Sequence, residues 1–133
     1  MIFEDRHKLL ARLYHRSFVL YRASGRDRGR LHQRQWARGF VADDDDDPLG
    51  TMELLAVDVG GYVSTLAEGG MVRAPAEALR HLRRLPVVED PELQRFARDH
   101  GAEYPNMMRY LRMLERCRRE AMALLAAVLR PST

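Results

Sequence analysis

What this chain has little of bounds it first. Its 133 residues include a single cysteine, Cys117, so no intrachain disulfide can form and no thiolate cluster can hold zinc. The longest uninterrupted apolar run, residues 121–129, is nine residues long, about half of the roughly 20 that a bilayer-spanning helix needs. The N-terminus meets Glu4 and Asp5 where a secretory signal would stay apolar. Among 22 basic residues only Lys8 is a lysine. No serine sits in a nucleophile-elbow context and no glycine-rich phosphate loop precedes a lysine, so the usual signatures of acyl and phosphoryl transfer are missing. These absences predict a cytoplasmic, non-enzymatic protein that needs no cofactor, no metal and no membrane.

What is there describes one globular domain over residues 1–133. Hydrophobic residues make up 46% and charged residues 31%, and a chain of this length can bury enough apolar surface to support its own core. The net charge of +3 conceals a segregation. Residues 1–42 carry ten basic side chains against three acidic, residues 43–70 none against eight, and residues 71–133 twelve against eight. An arginine fork binds phosphate or carboxylate bidentately and stacks on bases, so the basic stretches suit nucleic acid or an acidic protein partner.

Apolar spacing predicts an all-α fold, a small bundle of three long helices plus two or three short ones. Over residues 3–23, Leu9, Leu10, Leu13, Tyr14, Phe18, Leu20 and Tyr21 recur at helical intervals, with Lys8, Arg12 and Arg16 as an i, i+4 row on another face. This helix is expected to stop near Ser24-Gly25. Residues 24–42 read as an arginine-rich connector with a short helix over 30–38, and residues 43–47, five aspartates, as a solvated loop. Asp47-Pro48 is a helix-start signal. It opens a second long helix over 48–67, where Met52, Leu55, Val59, Tyr62, Val63 and Leu66 share a face. Gly60-Gly61 in its middle is expected to admit a close neighbouring helix; a strand over 56–63 is the alternative, given Val57, Val59 and Val63. Pro75 starts a short helix and Pro86 breaks it. Asp90-Pro91 starts another, which Gly101 closes, and Tyr104-Pro105 opens the longest. There Tyr110, Leu114, Cys117, Ala121, Leu124 and Val128 form the seam of a packed bundle helix, with Cys117 as a buried, inert thiol.

Two sets of side chains are candidates for nucleic-acid contact. The first is Arg22, Arg26, Arg30, Arg34 and Arg38, at every fourth position, joined by Arg28 and Trp36; a row of forks beside an indole supplies phosphate contact and base stacking. The second is Arg109, Arg112, Arg116 and Arg119 on the last helix. The bland alternative is a solvated face in which Glu115 pairs with Arg119 and Arg112, and Glu120 with Arg116. Residues 93–115 also resemble a helix-turn-helix DNA reader. Ala97, Gly101, Met107 and Tyr110 stand at the motif's offsets, with Phe96 packing before the alanine, and His100 departs from it. That resemblance implies Asn106, Arg109 and Arg112 as the side chains offered to the groove.

The five histidines, His7, His15, His32, His81 and His100, form no tight ligand spacing, and the Glu4-to-His7 fragment of a di-iron motif has no second copy. The leading expectation is a non-catalytic accessory protein that contacts RNA or DNA, as one subunit of a nucleoprotein complex. In size, helicity and basic surface the chain resembles the small helical subunits of CRISPR effector complexes, a likeness of architecture. A protein–protein adaptor or inhibitor using the acidic loop and basic faces, and a small helix-turn-helix regulator, are the alternatives. Partner proteins, and self-association into a homo-oligomer through the last helix, go with these readings.

Overall fold

A computed structural model describes residues 2–37 and 47–130; Arg38 and Asp43 to Asp46 lie outside the described residues. The chain is all-α. In order come α1 (Ile2–Ala23), α2 (Gly25–Ala37), α3 (Pro48–Ala67), α4 (Pro75–Arg83), α5 (Pro91–His100), a 3-10 turn at Gly101–Glu103, and α6 (Pro105–Leu129), with no strand among the described residues. The stretch 56–63, with its β-branched valines, is therefore helix; burial of Met52, Leu55, Val59, Val63 and Leu66 along one face outweighs the local strand preference.

Helix α6 is the axis of the molecule and packs against α1, α3 and α4. Its buried positions include Met107, Tyr110, Leu111, Leu114, Cys117, Ala121, Leu124 and Leu125, and Leu10, Leu13, Leu79, Leu82, Leu93 and Phe96 from the other helices complete the core. Cys117 is buried, and burial pushes its thiol pKa up to about 12. Helix α1 runs antiparallel to α6: Arg6 reaches Glu120 at 3.8 Å near one end, and Tyr21 meets Tyr110 edge-on at 5.2 Å near the other.

Local chemistry explains the helix starts. Asp47 and Asp90 cap α3 and α5 with carboxylates that accept from Gly50 N and Leu93 N, each at 3.0 Å, and a proline follows in both cases. Glu92 then accepts from Asp47 N at 2.6 Å and from the Thr51 hydroxyl, joining the two starts. Two residues past the end of α3 stands Gly69, whose φ of +83° a side chain would resist.

Two expectations need correction. Helix α2 begins at Gly25, not near residue 30, and only Ser24 separates it from α1. The Ser24 hydroxyl donates to Tyr21 O at 2.6 Å and accepts from Arg28 Nε at 2.9 Å, so the first turn of α2 is laced to the last turn of α1. That network offsets the poor helix propensity of Gly25 and Gly29. At Gly60-Gly61 no helix approaches closely among the described residues: a Cβ added at either would meet nothing within 4 Å. The two glycines leave open space on either side of α3 and cost that helix about 1 kcal/mol each relative to alanine.

Candidate nucleic-acid interface

The arginines of α2 are mostly turned to internal work. Arg28 donates to Tyr21 O at 3.1 Å and to the Tyr21 hydroxyl at 3.3 Å, and its guanidinium lies 3.9 Å from the centre of that ring. A cation on the last carbonyls of a helix also complements its dipole. Arg30 bonds Asp27 at 3.2 Å, donates to Glu103 O and lies over the Tyr104 ring at 4.9 Å. Arg34 pairs with Glu103 at 2.8 Å and reaches the Tyr104 hydroxyl at 3.5 Å. The Arg34 hydrogen bond is the main reason the Glu103 carboxyl is held below its ordinary range.

Asp27, buried within α2, explains why these contacts matter to the fold. Helix α6 begins at Tyr104-Pro105 without a side-chain cap of its own. Asp27 supplies one from another helix, its Oδ2 accepting from Asn106 N at 2.8 Å and Met107 N at 3.2 Å. A carboxylate on the free N–H groups of a helix start satisfies orphan donors and the dipole together. Arg30 and Arg34 brace this arrangement from outside.

Arg22 and Arg26 are exposed and have no carboxylate partner among the described residues. Trp36 is 72% exposed, stacked loosely on His32 with centroids 6.5 Å apart. Arg38 falls outside the described residues. The expected row is thus divided: Arg22, Arg26 and Trp36 face solvent, while Arg28, Arg30 and Arg34 are held.

On α6 the division differs. Arg109, Arg112 and Arg116 are exposed and unpaired with any carboxylate among the described residues. Arg119 is paired, to Glu115 at 2.7 Å and Glu89 at 3.9 Å. The expected pairs Glu115 with Arg112 and Glu120 with Arg116 do not form: Glu120 turns to Arg6 instead, and Glu115 turns inward.

That inward turn reveals a residue the sequence reading missed, Arg118. It is buried, donating to Leu82 O at 2.7 Å and to both oxygens of Glu115 at 3.1 and 2.9 Å. Glu115 also accepts from Val87 N at 2.9 Å. Burial raises the Glu115 pKa, but the hydrogen bonds from Arg118, Val87 N and Arg119 outweigh it and hold the carboxyl low. The signal was available: Arg118 lies four residues after Leu114 and seven from both Leu111 and Leu125, which puts it on the apolar face.

The hairpin of α5 and α6 departs from a DNA reader beyond His100. Ala97, the small residue that such a motif packs between its helices, is exposed, and the first turn of α6 lies under Asp27 of α2. Gly101 has ordinary right-handed backbone at φ −55°, with only the flexible Met108 side chain close to where its Cβ would stand, its Sδ at 3.3 Å. Among the described residues no group of three His, Cys, Asp or Glu side chains could hold a metal ion, and no helix is long and apolar enough to cross a membrane. The chain matches no protein-family model, no curated protein and no solved structure, so the likeness to small CRISPR subunits has no solved structure behind it.

Proposed function

We propose that the protein is a non-catalytic helical accessory factor that contacts nucleic acid, as one subunit of a nucleoprotein assembly, through the outer face of α6 and the adjoining face of α1. The observation that carries this reading is the set of exposed arginines without carboxylate partners among the described residues, Arg109, Arg112 and Arg116, set beside a neighbouring helix with its own. Arg12 and Arg16 of α1 are also exposed and unpaired among the described residues. At about 100° per residue they project to one side of Leu13, whereas Tyr14, Phe18 and Tyr21, which face α3, project to the other. On α6 the same phase separates Arg109 and Arg116 from Tyr110 and Leu114, which face α3. Because α1 and α6 are antiparallel neighbours, both sets emerge on the side of the pair away from α3. Guanidinium groups freed from internal pairing are the ones able to displace counterions from a phosphate backbone. Trp36, Arg22 and Arg26 add a stacking surface and two further charges.

The test is a salt series of binding to single-stranded RNA, single-stranded DNA and duplex DNA, followed by fluorescence anisotropy. Binding is expected to weaken steeply as salt rises, with Arg109→Ala/Arg112→Ala/Arg116→Ala lowering the slope of log affinity against log salt by about 3. Absence of binding at low salt, or a slope unmoved by the triple substitution, overturns the proposal.

One observation favours a protein partner as well. Leu54 and Val57 of α3 are 68% and 71% exposed and stand beside the exposed Asp58, an apolar and acidic strip suited to a basic partner. A pull-down repeated after nuclease treatment separates the two readings, since only partners bridged by nucleic acid are then lost.

A further inference from the structure

Between α1, α3 and α6 lies a cavity of about 220 Å³. A dry apolar cavity of about 150 Å³ accommodates benzene, so this one has room for a ring and a small substituent. Four aromatic side chains line it, Tyr14, Phe18 and Tyr21 from α1 and Tyr110 from α6. Its walls carry a single charged group, Glu53 of α3, with no Arg, Lys or His. No cation pairs with Glu53 among the described residues; both its oxygens accept from the Tyr21 hydroxyl, at 3.0 Å each. Arg28 lies on the Tyr21 ring but does not line the cavity.

Two further features mark the space as more than a packing fault. Tyr110 is 5% exposed as a residue; its hydroxyl keeps some accessible surface at the cavity and makes no hydrogen bond among the described residues. Burial, then the charge of Glu53, raises its pKa, so it stays a neutral phenol with an unused donor. Gly60 lines the cavity, and nothing stands within 4 Å of where its Cβ would be. No packing demand accounts for that glycine, whereas a side chain there would intrude on the space. Phe18 and Val57 also line it while remaining 52% and 71% exposed, which places them at its mouth.

We infer that this cavity binds a small organic cation, an ammonium group carrying alkyl or aryl substituents, with its charge set among the aromatic rings and facing Glu53. Aromatic faces carry negative potential and attract a cation within about 6 Å of the ring centre, more strongly once water is excluded. The Arg28 guanidinium on Tyr21 is the same interaction within the chain. Glu53 adds a full charge at the wall. A neutral ligand of the same shape gains the ring contacts alone, and an anion is opposed by Glu53. The site is separate from the arginine surface and does not depend on the nucleic-acid reading.

The experiment titrates the full chain with benzyltrimethylammonium, benzyl alcohol and phenylacetate, following the tyrosine ring resonances by NMR. The cation is expected to shift Tyr14, Tyr21 and Tyr110 saturably, to bind about tenfold or more tighter than the alcohol, and to leave phenylacetate without measurable binding. Glu53→Gln should weaken the cation about tenfold while changing the alcohol by less than about twofold. Gly60→Leu should abolish binding of both with the helical signal and unfolding midpoint retained. Phe18→Ala, a change at a half-exposed residue that the fold tolerates, should weaken the cation and serves if Glu53→Gln proves unstable. Equal affinity for cation and alcohol, a cation affinity indifferent to both Glu53→Gln and Phe18→Ala, or no saturable shift up to about 10 mM cation overturns the inference.

Discussion

Along α2, Arg26, Arg30 and Arg34 repeat every four residues; along α6, Arg109, Arg112 and Arg116 repeat at three and four. The spacing makes both a stripe, yet Arg30 and Arg34 are bound to Asp27, Glu103 and Tyr104, while the α6 stripe meets no carboxylate among the described residues. The difference lies in what stands opposite. Helix α2 crosses the start of α6, where Glu103 and the uncapped N–H groups of Asn106 and Met107 must be satisfied, and its charges are used there. Among the described residues no helix covers the exposed face of α6 that carries Arg109, Arg112 and Arg116. A guanidinium row therefore identifies an external binding surface only after internal acceptors have been counted.

The largest effect expected from this contrast is at the one α6 arginine that turned inward. Glu115→Gln or Arg118→Met, each leaving half of a buried pair, should lower stability by about 3–5 kcal/mol in urea unfolding. Replacing both with apolar residues should recover only part of that loss, because Val87 N and Leu82 O then lose their partners. The pH dependence carries the same signature. The folded Glu115 pKa lies below its unfolded value, so its contribution is complete above the ordinary carboxylate range. It is lost as pH falls through the folded pKa, and wild type should weaken in acid more than Glu115→Gln does.

Next in size, Arg109→Ala/Arg112→Ala/Arg116→Ala should lower the salt slope of nucleic-acid binding by about 3 with the unfolding midpoint nearly unchanged. Arg28→Ala/Arg30→Ala/Arg34→Ala should do the reverse, lowering stability and sparing the slope. If the two triple variants behave alike, the division between held and free arginines fails. Asp27→Ala should cost about 1–2 kcal/mol, by analogy with loss of an N-cap, and amide exchange at Asn106 and Met107 should quicken. Smallest and of opposite sign, Gly61→Ala should stabilise by up to about 1 kcal/mol, since its Cβ meets nothing.

The all-α class was legible because Met52, Leu55, Val59, Val63 and Leu66 keep one helical face, and the starts of α3 and α5 because Asp-Pro carries its own cap. Both signals are local. The start of α2 was not legible, since Gly25 and Gly29 argue against helix and only the Arg28 to Tyr21 lacing, formed after folding, argues for it. Gly60-Gly61 misled in the other direction: paired glycines read as a close helix contact, and the structure leaves open space there. At the candidate interface, the α6 stripe was visible as spacing, but the capture of Arg30 and Arg34 by Glu103 was not, because that residue lies about seventy residues away in sequence. Arg12 and Arg16 were seen as a row and not joined to the interface, since the antiparallel placement of α1 beside α6 is a tertiary fact.

The clamp formed by Glu115 and Arg118 bears on how the molecule assembles. Leu82 O and Val87 N lie five residues apart across the α4–α5 connection, and the two side chains that reach them, three residues apart, converge only when that turn of α6 is helical. Closure of the connection and the helical turn of α6 that carries the clamp are therefore coupled, and loss of one removes the partners of the other. Although Val87 N belongs to no helix, its proton should exchange with solvent as slowly as the amides at the centre of α6.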